Sequence, residues 1–578
     1  MAAPVHPVPA DDSADDSALD SALDSALDSA LLAEVPLLAG LPAATLHALA
    51  AAGRRLSVHA GEPVVVEGEP GDAAFVVRSG RVEVSAGGRV LGWFGRGYVF
   101  GEIALLTGQV RTATVRARRD AELLLLARAD VDRLLTTETA FAAAVARRLA
   151  RWATEDRAPD RGPVAASVLA LVPLHAAVRP EQVARLGRLL TTELGRTGPA
   201  FRLDGDGDPE GWAARVERAE DAGRVVVLVA DRPDGAWAEF CRRQADRVLG
   251  VADPSAGGPA GASLPRAGNL VALHTRGLAA WLAALTPTAH HLVDTAAPEP
   301  DLARLARRVR GRALGVVLSG GGARGLAHIG VVDVLRRAGL VVDRVGGTSM
   351  GAVVAGLVAT GVDTEALLAV ARRELVSRNV FGDFTWPRYA LARGTRVDAA
   401  LVRAFGDARI EDQRCTLFTV SVDMLAAETV VHRTGRIADA VALSVRLPGV
   451  VPPRRVGERM HVDGGVLDNL PIGAMAADGE GPVVAVDVAP PFHGLPGVRR
   501  GQLPGIVDTI ARSMTLAGAR ATDADRGLAH TVIVPQLDDV AILDFGRADA
   551  IIAAGRRAAH DALPGLADLR PGADPSGR

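Results

Sequence analysis

Between Leu31 and Ala150, short apolar runs alternate with turn residues at close intervals. Gly61-Glu62-Pro63, Gly68-Glu69-Pro70-Gly71-Asp72, Ser79-Gly80 and Gly87-Gly88 punctuate Val64-Val65-Val66, Ala74-Phe75-Val76-Val77 and Arg81-Val82-Glu83-Val84. Such spacing predicts a small antiparallel barrel or roll. Helical patterns flank it, over Pro42 to Ala52 and Asp130 to Trp152. From about residue 164 to 300 the pattern changes: apolar strands (Val168 to Leu174, Arg224 to Ala230, Val248 to Ala252, Leu270 to His274) alternate with helices, as in an α/β layer. Asp253 to Gly261 reads as a surface loop within it. The same alternation resumes from Arg312 to about Leu563.

The first residues differ from all of this. A Ser-Ala-Leu-Asp repeat runs from Ser17 to Asp28 beside further aspartates, and so little apolar surface predicts a disordered or loosely helical acidic arm. The expected architecture is therefore multidomain α/β with an all-β roll: an arm over 1–30, the roll over 31–152, an α/β middle domain over 164–300 and a second α/β domain over 312–565. A chain of 578 residues is long enough for about three or four domains.

Composition narrows the function classes. A formal net charge of −3 lacks the basic excess of a nucleic-acid binder. All 65 basic residues are arginine, which excludes a P-loop lysine and a Schiff-base lysine. Cys241 and Cys415 lie far apart and match no metal-ligand spacing, as suits a reducing compartment. No run approaches the roughly 18 apolar residues of a membrane span. Asp11, Asp12, Asp15 and Asp16 stand where a signal peptide needs a basic start. These features point to the cytoplasm, with peripheral contact at the inner membrane face left open.

The chemistry gathers in the last domain. Gly347-Thr348-Ser349-Met350-Gly351 is a G-x-S-x-G sequence between an expected strand (Val341 to Val345) and an expected buried helix (Ala352 to Ala359). Glycines flank such a serine because a nucleophile elbow is too tight for side chains. Upstream, Ser319-Gly320-Gly321-Gly322-Ala323-Arg324-Gly325 opens a helix running to Arg337. Backbone N–H groups there can meet a developing oxyanion; a phosphate loop is the rival reading, although no G-x-G-x-x-G spacing supports it. The third piece is Asp463-Gly464-Gly465 after an expected strand. Asp-Gly is ordinarily a turn, so Asp463 gains weight only from its company. His328 reads as a packed helix residue, and His461, two residues from Asp463, is a lesser candidate for the base.

In this order the three motifs resemble the patatin-like phospholipase family. Gly346 to Ala352, Phe384-Thr385-Trp386-Pro387, Ile410-Glu411-Asp412, Pro452-Pro453, Asp463 to Pro471 and Arg243-Gln244-Ala245-Asp246 extend the likeness to the neuropathy target esterase branch. The resemblance implies Ser349 as nucleophile, Asp463 as base, and the Gly321, Gly322 and Ala323 N–H groups as oxyanion donors supported by Arg324. It implies phospholipid or lysophospholipid acyl esters at a membrane surface as substrates, with no metal or other cofactor for catalysis. Two positions depart from the pattern. Ser319 replaces a frequent glycine, and Arg446 stands where a small residue is usual, so it is expected to shape the acyl or headgroup pocket.

Within the roll, Phe100-Gly101-Glu102-Ile103-Ala104 is followed by Arg111-Thr112-Ala113. A cyclic nucleotide needs a cation for its phosphate, a carboxylate for its ribose hydroxyl and small residues with free N–H groups. Gly101, Glu102, Ile103, Ala104, Arg111, Thr112 and Ala113 resemble the phosphate-binding cassette of cyclic-nucleotide-binding domains, implying cAMP or cGMP as an allosteric ligand. The alternatives are a roll that has lost its ligand, a nucleotide-responsive scaffold with an inactive hydrolase domain, and an acyl-CoA thioesterase using the same dyad.

Overall fold

The structure, a computed structural model, describes residues 26–152, 167–489 and 522–570 apart from isolated positions within those spans, together with scattered positions between 503 and 520. It divides into two compact units, Met1–Val172 with Phe201–Leu249, and Pro173–Ala200 with Gly250–Arg578. The middle region expected as one domain is thus shared between them.

In the first unit, β1 (Arg54–Val58), β2 (Pro63–Val65), β3 (Ala73–Ala86), β4 (Arg89–Phe94), β5 (Val99–Phe100) and β6 (Thr114–Ala127) form an antiparallel roll around Phe75, Val77, Val82, Phe94 and Leu123. Ser79-Gly80 was expected to be a turn, but β3 runs through it. Gly80, at φ 83°, sits in a run of register shifts against β6. A Cβ there would lie 2.3 Å from the Asp120 carbonyl, so glycine permits a bulge inside one long strand. The expected helix over Asp130 to Trp152 is two, Arg128–Thr137 and Thr139–Trp152.

Residues 1–25, the bulk of the expected arm, lie outside the described residues. From residue 26 to 34 the chain is helical, and its role differs from expectation. Leu31 and Leu32 are buried in the roll's second cluster, and Asp28 is buried against Arg78 and, at 3.1 Å, Arg55. The leucines after the repeat supply the burial that its own composition lacks.

Also in this unit, β7 (Val168–Pro173) pairs in parallel with β9 (Val225–Val229), the stretch β8 (Ala200–Leu203) lying between them in sequence. Asp246, fully buried, ties this region to the roll. It accepts from Arg81 (2.9 Å) and from the Ser167 and Val168 N–H groups (2.8 and 3.0 Å), with Arg119 at 3.6 Å. These donors hold its pKa down against the cost of burial.

The second unit carries β10 (Arg247–Ala252, its last three residues), β11 (Asn269–Ala272) and β12 (Ala289–Leu292), the last two parallel. It also carries an eight-stranded sheet of β13 (Leu314–Leu318), β14 (Val342–Thr348), β15 (Thr416–Asp423), β16 (Glu428–His432), β17 (Arg454–Val456), β18 (Arg459–Asp463), β19 (Val483–Val486) and β20 (Thr531–Ile533). The order is β17-β18-β15-β14-β13-β19-β20, with β16 on β15. The strands from β15 to β20 along this path are parallel; β16, β17 and β18 enter antiparallel pairs. Purely apolar strands such as Leu314-Gly315-Val316-Val317-Leu318 suit a sheet covered on both faces. The helix Glu299–Val309 is pinned to this sheet by ions. Arg307 donates to both oxygens of Asp343 (2.8 and 2.7 Å), and Arg308 to both oxygens of Glu480 (2.7 and 2.8 Å).

Candidate active site

The site is built where β13, β14 and β18 end. At the end of β14 the chain turns at Ser349, φ 54° and ψ −122°, straight into the helix Met350–Ala359. A serine in this region of backbone space is strained, and the turn leaves its side chain half-exposed at the sheet's edge. The flanking glycines are steric necessities: a Cβ on Gly347 or Gly351 would lie 2.6 or 2.1 Å from the Leu318 carbonyl. The Ser349 N–H donates to the Ser444 hydroxyl (2.8 Å), which donates to the Val420 carbonyl (2.6 Å). Ser444 therefore holds the strained turn onto β15.

Strand register brings Asp463 to the serine. On one side of β15, Thr348 is opposite Val420; on the other, Asp463 is opposite Ser421. Ser349 and Asp463 thus flank the same point of β15. Gly464 is required by this closeness, since a Cβ there would lie 2.5 Å from the Val420 carbonyl. The Asp463 N–H donates to the Arg446 carbonyl (3.0 Å), and its Oδ1 accepts from the Gly465 N–H (2.8 Å). Burial pushes its pKa up to about 6, while Ser349 and the Gly465 N–H pull the other way. Its Oδ2 has no hydrogen-bond partner among the described residues. A buried carboxylate oxygen left open beside a serine is ready to accept its proton.

The glycine loop faces this pair. A Cβ on Gly320 would lie 3.1 Å from Ser349 Cβ, and one on Gly322 (φ 56°) would lie 2.1 Å from the Ile542 carbonyl. Asn469 clamps the loop: its carbonyl accepts from the Gly320 N–H (3.1 Å) and its side-chain amide donates to the Gly320 carbonyl (3.3 Å). Asn469 lies within the Asp463 to Pro471 motif, and nothing in the sequence alone marks it as a clamp. Of the three expected donors, Gly321 and Gly322 give their N–H to no backbone carbonyl among the described residues. Ala323 corrects the expectation. Its N–H donates to Ile542 at 2.7 Å and is not available to an oxyanion. The Arg324 N–H closes the turn onto the Gly321 carbonyl (3.2 Å).

In the roll, Gly101 (φ 81°) precedes the short helix Glu102–Thr107, which contains Ile103 and buried Ala104. Buried Arg111 donates to the Ala73 and Gly101 carbonyls, both at 2.9 Å. Burial lowers its pKa, opposed by the charges of Asp72 and Glu102. A Cβ on Gly101 would lie 2.5 Å from an Arg111 nitrogen, so this glycine makes room for the guanidinium. Thr112, exposed, and Ala113, half-buried, follow it directly.

These two sites coincide with two family models: patatin-like phospholipase over residues 316–476, and cyclic nucleotide-binding domain over residues 55–138. An NTE family protein of Mycobacterium tuberculosis is 33% identical over 93% of this chain and 97% of its own length, and one of Mycobacterium bovis matches equally. The chain belongs to the NTE family. The lysophospholipase NTE1 of Yarrowia lipolytica is 27% identical, over 88% of this chain and 46% of that one. Membership in the NTE family, with its patatin-like domain, makes this chain a carboxylic ester hydrolase carrying a cyclic-nucleotide-binding β-roll.

Beside Ser349 of this NTE-family enzyme lies a small apolar cavity of about 50 Å³, lined by Met350, Val353, Leu357, Val397, Leu401 and Val445 among others. Arg446 does not line it, contrary to expectation. Its guanidinium turns to the Ala442 carbonyl (3.0 Å) and to Asp398, an ion pair that removes it from the apolar wall. The histidines are occupied elsewhere. His328 is wholly buried, bonded to the Ser319 carbonyl (2.8 Å), with its pKa pressed down to about 4. His461 hydrogen-bonds Ser421 (2.9 Å), which in turn meets His432 (2.7 Å).

Proposed function

We propose that this NTE-family chain hydrolyses acyl esters of phospholipids or lysophospholipids through a Ser349–Asp463 dyad, with a cyclic nucleotide in the roll modulating the rate. One observation carries the reading: β15 register sets Ser349, strained in its elbow, and a buried carboxylate with an open oxygen on either side of Val420–Ser421, facing the glycine loop. Ser349 Oγ attacks the acyl carbonyl carbon and gives its proton to Asp463 Oδ2. The Gly321 and Gly322 N–H groups stabilise the tetrahedral oxyanion. Collapse expels the alcohol, protonated by Asp463, and leaves an acyl-enzyme. Water then attacks under Asp463 as base, releasing the fatty acid and restoring Ser349.

Support for a lipid acyl group comes from the apolar cavity beside Met350 and from the fungal relatives named lysophospholipases. No helix among the described residues is long and apolar enough to cross a membrane, and we place the enzyme peripherally on a lipid surface. The test is purified protein on lysophospholipid, phospholipid and acyl-CoA, with Ser349→Ala alongside. Lipid turnover that disappears in Ser349→Ala, and fluorophosphonate labelling at Ser349, are expected. Turnover surviving in that variant overturns the dyad, and preference for acyl-CoA replaces the lipase with a thioesterase.

A further inference from the structure

Among the described residues, the exposed aromatic side chains are Phe384 (74% exposed), Trp386 (86%) and Tyr389 (73%), all within six positions. In a chain only 3% aromatic, three such exposed rings on one loop are a concentrated hydrophobic cost, offset only in part by the Arg388 guanidinium 5.1 Å from the centre of the Tyr389 ring. The loop is not loose at its base. Phe384 bridges to Ala392, the Thr385 N–H donates to the Leu391 carbonyl (3.0 Å), and the Arg393 N–H to the Asp383 carbonyl (3.0 Å). The Asp383 carboxylate is turned inward, onto the Thr395 hydroxyl (2.9 Å) and the Arg396 N–H (3.2 Å). The exposed charges left around the tip, Arg388, Arg393 and Arg396, are all basic, and none carries an ion pair among the described residues.

The stem leads to the reaction centre. Leu391 and Ala392 donate their N–H groups to the Gly449 and Val450 carbonyls, both at 2.9 Å. Three residues before Gly449, the Arg446 carbonyl holds the Asp463 N–H, and Val445 lines the cavity together with Met350 and Val397.

We propose that the loop 383–396 docks this enzyme on an anionic lipid bilayer, its three aromatic rings entering the interfacial zone and its arginines meeting lipid phosphates. Tryptophan and tyrosine partition to that zone because an apolar ring with a polar edge satisfies both sides of it. Each arginine near a negatively charged leaflet adds to the attraction. A docked loop sets the cavity's rim against the surface that holds long-chain esters. The docking rests on the lipid-hydrolase reading for its purpose, not for its occurrence.

The test is flotation of the full-length protein with phosphatidylcholine vesicles, with and without phosphatidylglycerol. Phe384→Ala, Trp386→Ala and Tyr389→Ala together should lower partitioning more than about tenfold, because their buried area is lost. Trp386→Phe alone should keep most of it. Replacing Arg388, Arg393 and Arg396 by Gln should cost about fivefold each on the anionic vesicles only. Hydrolysis of vesicle lipid should fall with binding, and hydrolysis of a soluble short-chain ester should not. If the wild type fails to float with anionic vesicles, or the triple aromatic variant floats like it, the docking is overturned even where lipid turnover persists. If binding follows these variants but no ester is cleaved, the docking stands and the hydrolase reading falls.

Discussion

A carboxylate whose pKa is near 6 instead of 3.8 records two opposing consequences at Asp463. Folded protein holds a proton there between about pH 4 and 6 that unfolded chain has already released, so stability falls as pH rises through that window. At neutral pH the ionised, desolvated side chain costs on the order of 3 kcal/mol. In the proposed dyad the same ionisation supplies the base, so esterase activity should climb with a single titration near pH 6. Asp463→Asn removes both: we expect a higher Tm at pH 7 and a kcat lower by a factor of about 10² or more. Asp468, raised to about 6 by burial and by Asp525, titrates in the same window. Comparing the pH dependence of Tm in wild type and Asp463→Asn separates the two, and an unchanged Tm profile would show that Asp463 is not the group responsible.

At the level of elements, the segment from Asp463 to Pro471 does more than end a strand. The Asp468 carbonyl accepts from the Thr348 hydroxyl (3.0 Å), and Asn469 holds Gly320. One short stretch thereby touches the elbow, carries Asp463 and holds the glycine loop. Asn469→Ala should lower kcat roughly tenfold to a hundredfold with little change in KM, because loop position matters to the oxyanion and not to ground-state binding. Steady-state kinetics with a thermal melt will check it, and an equal loss in KM would assign Asn469 to substrate binding. Much of this region was legible in the sequence. Gly347, Gly351 and Gly464 mark places where backbone passes too close for a side chain, and glycine at such spacing is visible without coordinates. The roles of Ala323 and Arg446 are not legible in the sequence because the partners that decide them, Ile542 and Asp398, are distant along the chain. Gly80 was read as a turn because a glycine that bulges a strand and one that ends it look alike in one dimension. The short β8 and β12 escaped because Arg202, His290 and His291 interrupt their apolar pattern.

Taken whole, the molecule joins a nucleotide-binding roll to a hydrolase in one chain. For ligand in the roll to alter hydrolysis, it must favour one state of the protein over another, and coupling energies of about 1–3 kcal/mol correspond to roughly 5- to 150-fold changes in rate. Arg111→Ala removes the cation proposed to meet the phosphate and should abolish binding of cAMP or cGMP in calorimetric titration, together with any nucleotide effect on lipid turnover. Binding retained in that variant would move the site elsewhere. Rates unaffected by a nucleotide that binds would make the roll a module for placement or assembly.

The helix Glu299–Val309 has a bearing on how such an enzyme can be dissected. Its Arg307 and Arg308 neutralise Asp343 and Glu480, whose side chains are almost wholly enclosed. A hydrolase fragment cloned from Arg312, where the patatin-like sequence nearly begins, would leave Asp343 without its arginines, at about 3–5 kcal/mol, and Glu480 with only Arg344 at 4.0 Å. It would also lack Pro173–Ala200, which belongs to the same unit although some fifty residues of the other unit follow it. We expect that fragment to be recovered insoluble and the full chain soluble, as judged by expression and sedimentation. The enzyme cannot be pared to its catalytic half by a single cut in the gene, because in this chain the order of the text is not the order of the parts.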